Sequence, residues 1–486
     1  MRFWPLRSSK ILVAIAALAM PASCLFADTI VLKNGRRITA THVEEADGKV
    51  TYDTDAGQLS LPADIVARVV RDTAAGDPQS RPTNERAANL PIAPPDSLTA
   101  AISSEVTRAA VHDGAVDQDY LDRLEGDAQG GSPGAVARAI VAESAAAEFE
   151  VGKGDLDRAL AYYKRALDFA PDNLNLLLDS AYLHLRRSEF REALDQLDLA
   201  RHGAPGSPDV AKLSGWAYYG LNRLDDAIAE WKRASQLRPD AEVQHALEKA
   251  EQDAQTEAGY RENETAHFEV KFNGDATPIL AREVLNTLED HFAEISKDLD
   301  YTPPEPIAVV LYTNQQFSDI TRAPSWAGAL NDGRIRVPVD GLSEMTDALS
   351  RVLKHELTHS FITQKTGGHC PVWLQEGVAQ YEEGRRIGAD GAKSLLAAYD
   401  QHMDLSLASY EGSWLNLEAD AASQAYAWSL AAVESMVDAG GMREISSVLD
   451  KLAAGSTAEH ALRDVMGMNY EQLATATADY LRRTYP

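Results

Sequence analysis

His355-Glu356-Leu357-Thr358-His359 sets two imidazoles four positions apart with a carboxylate between them. On an α-helix, positions i and i+4 share a face, so both rings can turn toward one ion. Glu356 then stands beside them and can accept a proton from an attacking water. Val352, Leu353, Leu357 and Phe361 supply the apolar side by which such a helix is buried. Two imidazoles plus a carboxylate, with one position left open, suit a catalytic zinc ion. Glu376, 17 positions after His359, can supply that carboxylate. It lies in Pro371-Val372-Trp373-Leu374-Gln375-Glu376-Gly377-Val378-Ala379-Gln380-Tyr381, where Pro371 marks a natural helix start. Gly377 and Ala379 are small enough to let this second helix approach the first. His369 and Cys370, between the two segments, are alternative ligands. A structural helix carrying two surface histidines is the competing reading of the first motif alone.

Together, H-E-x-x-H and the later Trp373-Leu374-Gln375-Glu376-Gly377-Val378-Ala379 resemble the gluzincin metallopeptidases, in particular their peptidase-MA-like domains, over residues 262–486. The resemblance implies one zinc ion held by His355, His359 and Glu376, with Glu356 as general base in peptide-bond hydrolysis. Tyr426, in Ala425-Tyr426-Ala427-Trp428-Ser429, resembles a tyrosine found downstream in this superfamily and is a candidate donor to the oxyanion. A packed core tyrosine is the competing reading. His402 and His460 are weaker candidates, read as surface residues.

Three departures matter. A metzincin would place a third histidine where Lys365 stands. Gln380 lies one turn after Glu376, where many gluzincins carry Asp. The carboxylate that orients a ligand histidine must then come from elsewhere, or Gln380 serves through its carbonyl. Aminopeptidase relatives carry G-x-M-E-N, and the comparable Gly328-Ala329-Leu330-Asn331 has no Glu to hold a substrate amine, which favours endopeptidase action.

The elements that position these residues follow from periodicity. Residues 267–272 alternate as a strand, 281–299 have helical period, and 306–312 read as a buried strand. Residues 333–339 read as another strand, which Pro338 marks as an edge, and 334–339 could align an extended peptide by β-augmentation. From 343 to 486 the pattern is almost wholly helical, giving an α+β domain.

Ahead of it runs a period of 34. Ala159, Ala193 and Ala227 keep it, as do Tyr163, Leu197 and Trp231, and Pro171, Pro205 and Pro239. Ala166, Ala200 and Ala234 keep it as well, and Ala147, Ala181 and Gly215 match in the preceding helix. Three such units, over residues 140–261 with a trailing helix, resemble tetratricopeptide repeats, the smallest stable solenoid of that kind. The resemblance implies a concave face for a peptide or protein partner. The competing reading is that the repeats only pack against the next domain.

Residues 98–139 read as a helical lead-in, and 73–97, with five prolines, as a linker. Residues 28–72 alternate in short runs broken by Asn34-Gly35 and Asp47-Gly48, giving a four- or five-stranded β-barrel or meander. Residues 1–27 combine Arg2, Arg7 and Lys10 with an apolar run of ten residues, which reads as a secretory signal peptide. Export to a bacterial periplasm follows, with an envelope lipoprotein anchored through Cys24 as the alternative. No transmembrane helix is expected in the mature chain.

The net charge is -28, from 46 basic and 74 acidic residues, which disfavours nucleic acid as a partner. Two cysteines make no disulfide framework. The fold class expected is therefore multidomain: a small all-β module, an α-helical tetratricopeptide solenoid and an α+β gluzincin domain. The function expected is exported, zinc-dependent endopeptidase action, with the repeats presenting protein substrate or partner. The alternatives are a non-catalytic repeat scaffold with an inactive peptidase domain, and zinc hydrolysis of a non-peptide amide.

Overall fold

The computed structural model describes six strands between residues 28 and 70, and residues 105–273, 278–313, 315–317, 329–331, 333–339, 342–401, 405–412, 414, 417 and 419–486. The export segment with Cys24, the linker 73–97, Gly328 and His402 lie outside these residues. The chain divides into two units, with the boundary after residue 80. In the first, β1 (Asp28–Leu32), β2 (Arg37–Ala40) and β6 (Val66–Val70) pair in the order β2-β1-β6. Strands β3 (Val43–Ala46), β4 (Lys49–Thr54) and β5 (Gly57–Pro62) make a second antiparallel sheet in chain order.

The second unit opens with α1 (Glu105–Ala110), a hairpin of β7 (Val111–His112) and β8 (Ala115–Val116), and α2 (Gln118–Ala128). The hairpin interrupts what helical spacing alone predicts there. Its turn is Asp113-Gly114, with φ of 52° and 75°, a pair whose αL preference outweighs the surrounding helical pattern. The helices α3 (Pro133–Lys153), α4 (Leu156–Phe169), α5 (Leu174–Arg186), α6 (Phe190–Gly203), α7 (Pro208–Gly220) and α8 (Leu224–Leu237) follow, and α9 (Ala241–Glu257) packs on the last of them. Each repeat is a helix pair whose first member carries the small residue and whose second carries the wedge. A Cβ on Gly215 would meet the Trp231 indole at 2.3 Å, so the bare backbone is what admits the fully buried ring.

The C-terminal part of this unit is built on a five-stranded sheet in the order β12-β13-β11-β10-β9. Its strands are β9 (Arg261–Glu264), β10 (Phe268–Phe272), β11 (Ile307–Tyr312), β12 (Leu330–Asn331) and β13 (Ile335–Pro338). Helix α10 (Pro278–Leu299) links the parallel pair β10 and β11. All six residues of β11 are buried, as its continuous apolar run predicts.

The expectation for residues 334–339 is overturned. Among the described residues strand β13 is interior, parallel to β11 on one side and antiparallel to β12 on the other, where Leu330 and Asn331 already occupy the positions opposite Arg336 and Ile335. Pro338 is tolerated because it ends the strand. The edge belongs to the short β12.

Helices then take over. They are α11 (Asp347–Thr366), α12 (Val372–Glu382), α13 (Ala389–Asp400), α14 (Ala419–Gly440), α15 (Met442–Ala453), α16 (Ala458–Met466) and α17 (Tyr470–Thr484). No helix among the described residues is long and apolar enough to cross a membrane.

Solenoid and sheet meet through buried charge. Arg336, fully buried on β13, donates to both carboxylate oxygens of Asp253 on α9 at 2.9 and 2.8 Å, and to Tyr312 Oη at 2.8 Å. Arg334 reaches Glu257 at 2.7 Å and Asp253 at 3.3 Å. Burial opposes ionisation of Asp253, but Arg336 and Arg334 outweigh it and hold the carboxyl below its ordinary range. At another point Arg186, the last residue of α5, donates to the Gly367 carbonyl just after α11. The repeats are thus tied to the following domain at individual points.

Candidate metal centre

Helix α11 begins at Thr346, whose hydroxyl accepts from Leu349 N, and ends at Gly367, whose φ of 57° suits an αL cap. Leu353, Leu357 and Phe361 are fully buried, while Val352 is half-buried at the margin. This fixes the opposite side of the helix, and His355 and His359 approach each other there with Nε2 atoms 3.1 Å apart. Helix α12 carries Glu376, whose Oε2 lies 3.6 Å from His355 Nε2 and whose Oε1 lies 3.7 Å from His359 Nε2. Pro371 caps α12 from outside in extended conformation instead of forming its first turn. The helices are tied by Gln375 Nε2 donating to Thr363 Oγ1 at 3.0 Å.

Gly377 works differently from the sequence reading. A Cβ there would meet Ser429 O at 2.6 Å and Val433 Cγ2 at 2.7 Å, so its missing side chain lets α12 approach α14, not α11. Gly377→Ala is expected to cost about 1–3 kcal/mol, because the obstructing atom is backbone. It should also weaken metal binding through the adjoining Glu376. Denaturant unfolding and metal titration check both effects.

The three side chains are a set of donors that fits a cation. The two Nε2 atoms lie 3.1 Å apart and each has its own Glu376 oxygen close by, Oε2 at 3.6 Å from His355 and Oε1 at 3.7 Å from His359. These separations are near the spacing of about 3.4 Å between donors around a tetrahedral ion with bonds of about 2.1 Å. Glu376 Oε2 and Glu356 Oε2 are buried and make no hydrogen bond. Burial disfavours a charged imidazole at both histidines. Glu376 and Glu383 overcome it at His355 and raise that ring to about 10, whereas His359 falls to about 4. The carboxylates around His355 favour positive charge beside them, which a bound dication would also supply. Burial pushes Glu356 up to about 7, with His355 opposing and Glu376 and Glu383 adding to the shift. A dication there would draw it down again.

The other ligand candidates fall elsewhere. His369 packs against Gly154, and the Cys370 thiol bonds the Pro371 carbonyl, so neither joins the ligand cluster. His460 is exposed beside Asp464. Tyr426 is half-buried on α14, edge-on to Trp414, and its carbonyl accepts from Gln380 at 3.1 Å.

Gln380 also donates to the Glu376 carbonyl at 3.2 Å, so its amide braces helices instead of orienting a histidine. Two further residues escaped sequence reasoning. Asn331 on the edge strand donates to the Glu356 carbonyl at 2.9 Å and to Ser360 Oγ at 2.6 Å. Glu383 places Oε2 3.3 Å from His355 Nδ1. Its spacing, seven residues after Glu376 and so on the same helical face, is the signal that could have found it.

A family model for the Peptidase MA superfamily matches residues 287–483, and one for the tetratricopeptide repeat matches 150–217. The chain carries tetratricopeptide repeats and a Peptidase MA superfamily domain. The cluster of His355, His359 and Glu376 lies within the Peptidase MA region. Protein CTR9 homolog of Arabidopsis thaliana is 38% identical over 91 residues, which is 18% of this chain and 8% of that protein. The chain thus spans a small part of that relative. The first tetratricopeptide domain of human RPAP3 is 22% identical with a TM-score of 0.23, covering 24% of this chain and 93% of that one. MamA (MSR-1 C2) is 22% identical with a TM-score of 0.22, covering 29% and 87%.

Proposed function

We propose that the Peptidase MA domain is a zinc-dependent endopeptidase of gluzincin type in an exported chain. The observation that carries this reading is the convergence of two imidazoles and a carboxylate beside a buried carboxylate, Glu356, whose Oε2 has no hydrogen-bond partner. Zinc held by His355, His359 and Glu376 would polarise the scissile carbonyl and lower the pKa of the attacking water. Glu356 accepts the proton of that water at Oε2 and passes it to the leaving amine. Asn331 holds the Glu356 backbone carbonyl and so fixes where that carboxylate starts. Tyr426 is the candidate donor to the developing oxyanion.

Endopeptidase action is supported at the edge strand, where Asn331 offers a substrate amine no carboxylate and its amide is committed to α11. The basic and apolar character of residues 1–27 supports export to the periplasm, with lipid attachment at Cys24 as the alternative. The repeats would hold a protein substrate or partner.

The first test is zinc content of the purified chain beside a His355→Ala control. About one zinc per chain, lost in the control, supports the reading. No zinc, after purification without chelators and after zinc addition, overturns it and leaves the repeats as the functional part.

A further inference from the structure

Ligand histidines are held in one tautomer and orientation by a partner on the second ring nitrogen, and a carboxylate is the strongest such partner. The position one turn after Glu376 is Gln380, and its amide nitrogen is committed to the carbonyls of Glu376 and Tyr426. The ring of His355 faces a different acid. Glu383, the residue that caps α12, brings Oε2 to 3.3 Å from His355 Nδ1, an ion-pair distance, and that buried nitrogen makes no hydrogen bond to any other group. Glu383 is itself anchored: its other oxygen, Oε1, receives Arg385 Nε at 3.0 Å, and its side chain is only 8% exposed. Arg385 also reaches Gln380 Oε1 at 3.4 Å, so one guanidinium joins the residue that braces the helix to the one that faces the histidine.

We propose that Glu383 is the positioning residue for His355: it accepts the Nδ1 proton, leaves the Nε2 lone pair aimed between His359 and Glu376, and is held in place by Arg385. The inference rests on the metal reading proposed above. A carboxylate two turns after Glu376 does here what one turn would do if residue 380 were acidic, and the C-terminus of α12 becomes part of the metal site. Glu383 touches neither substrate nor ion, so its effect is on affinity and on the geometry of the ion.

The test is zinc affinity by competition with a chromophoric chelator, together with the visible spectrum of the cobalt(II)-substituted chain. Glu383→Gln is expected to weaken zinc binding by about 10- to 100-fold and to change the cobalt band pattern, with unfolding of the metal-free chain little altered. Arg385→Ala removes a side chain that is 60% exposed, so the fold survives, and it should weaken zinc in the same direction by a smaller factor. A second carboxylate variant, Gln380→Asp in the Glu383→Gln background, should recover part of the affinity by restoring an acid one turn after Glu376. If wild type binds zinc and Glu383→Gln binds it within twofold with an unchanged cobalt spectrum, this inference alone is overturned. A wild-type chain that binds no zinc overturns both it and the metal reading.

Discussion

Glu356→Gln is expected to lower kcat/KM on a peptide library by about three orders of magnitude while the chain still binds one zinc. The amide keeps the volume and the α11 backbone, including the Glu356 carbonyl held by Asn331 at 2.9 Å. It loses the basic oxygen. Proton transfer in this site has no nearby substitute: His355 and His359 are turned toward Glu376, and Glu383 faces the far side of His355. Zinc analysis and turnover on the same sample make the prediction decisive. Loss of turnover with retained zinc assigns Glu356 as base. Cleavage, or function in the cell, that survives the substitution shows that hydrolysis is not what the chain contributes, and favours the scaffold reading.

Arg336→Met carries the largest expected effect on stability, about 3–5 kcal/mol by chemical denaturation. The cost comes from what remains. Asp253 is fully buried, and without Arg336 it keeps Arg334 at 3.3 Å as its guanidinium partner and the Tyr219 hydroxyl at 3.2 Å. Desolvation that two guanidiniums now offset would fall on one. The double variant Arg336→Met, Asp253→Leu should recover much of the loss, because an apolar pair of similar size avoids both desolvation penalties. A single variant costing under about 1 kcal/mol would mean that water enters this interface and screens it. Catalysis should suffer too: β13 pairs with β12, and Asn331 on β12 holds the α11 backbone at Glu356.

The repeats and the placing of His355 beside His359 were open to sequence reading because both obey short, strict periods. The interval of 34 assigns Gly215 to the column of small residues and Trp231 to the column of wedges, which meet in the helix pair, and i, i+4 spacing puts His355 beside His359. Contacts made across long sequence separations were not. Pro338 argued for an edge strand, but its place at the end of β13 let β12 pair outside it. Gly377 signalled close approach correctly and its partner wrongly, since a small residue names no neighbour. The Asp113-Gly114 turn carries its own local signal within a stretch of helical spacing, while Glu383 lies a second helical turn beyond the motif. Arg334 and Arg336 gave no signal of burial at all, because their acids lie about 80 positions away on α9.

That pairing has a consequence for inheritance. Asp253 and Glu257 sit on the helix that closes the repeats, Arg336 on a strand of the C-terminal sheet with Arg334 just before it, and the chain between α9 and β9 is three residues long. A recombination event in that junction would leave Asp253 and Glu257 in one descendant and Arg334 and Arg336 in the other, each pair facing a new neighbour without its partners across this interface. Repeat arrays are often exchanged between genes as free modules. This one is tied to its neighbour by charges that neither can carry alone, so the two should pass down lineages together and change by paired substitution.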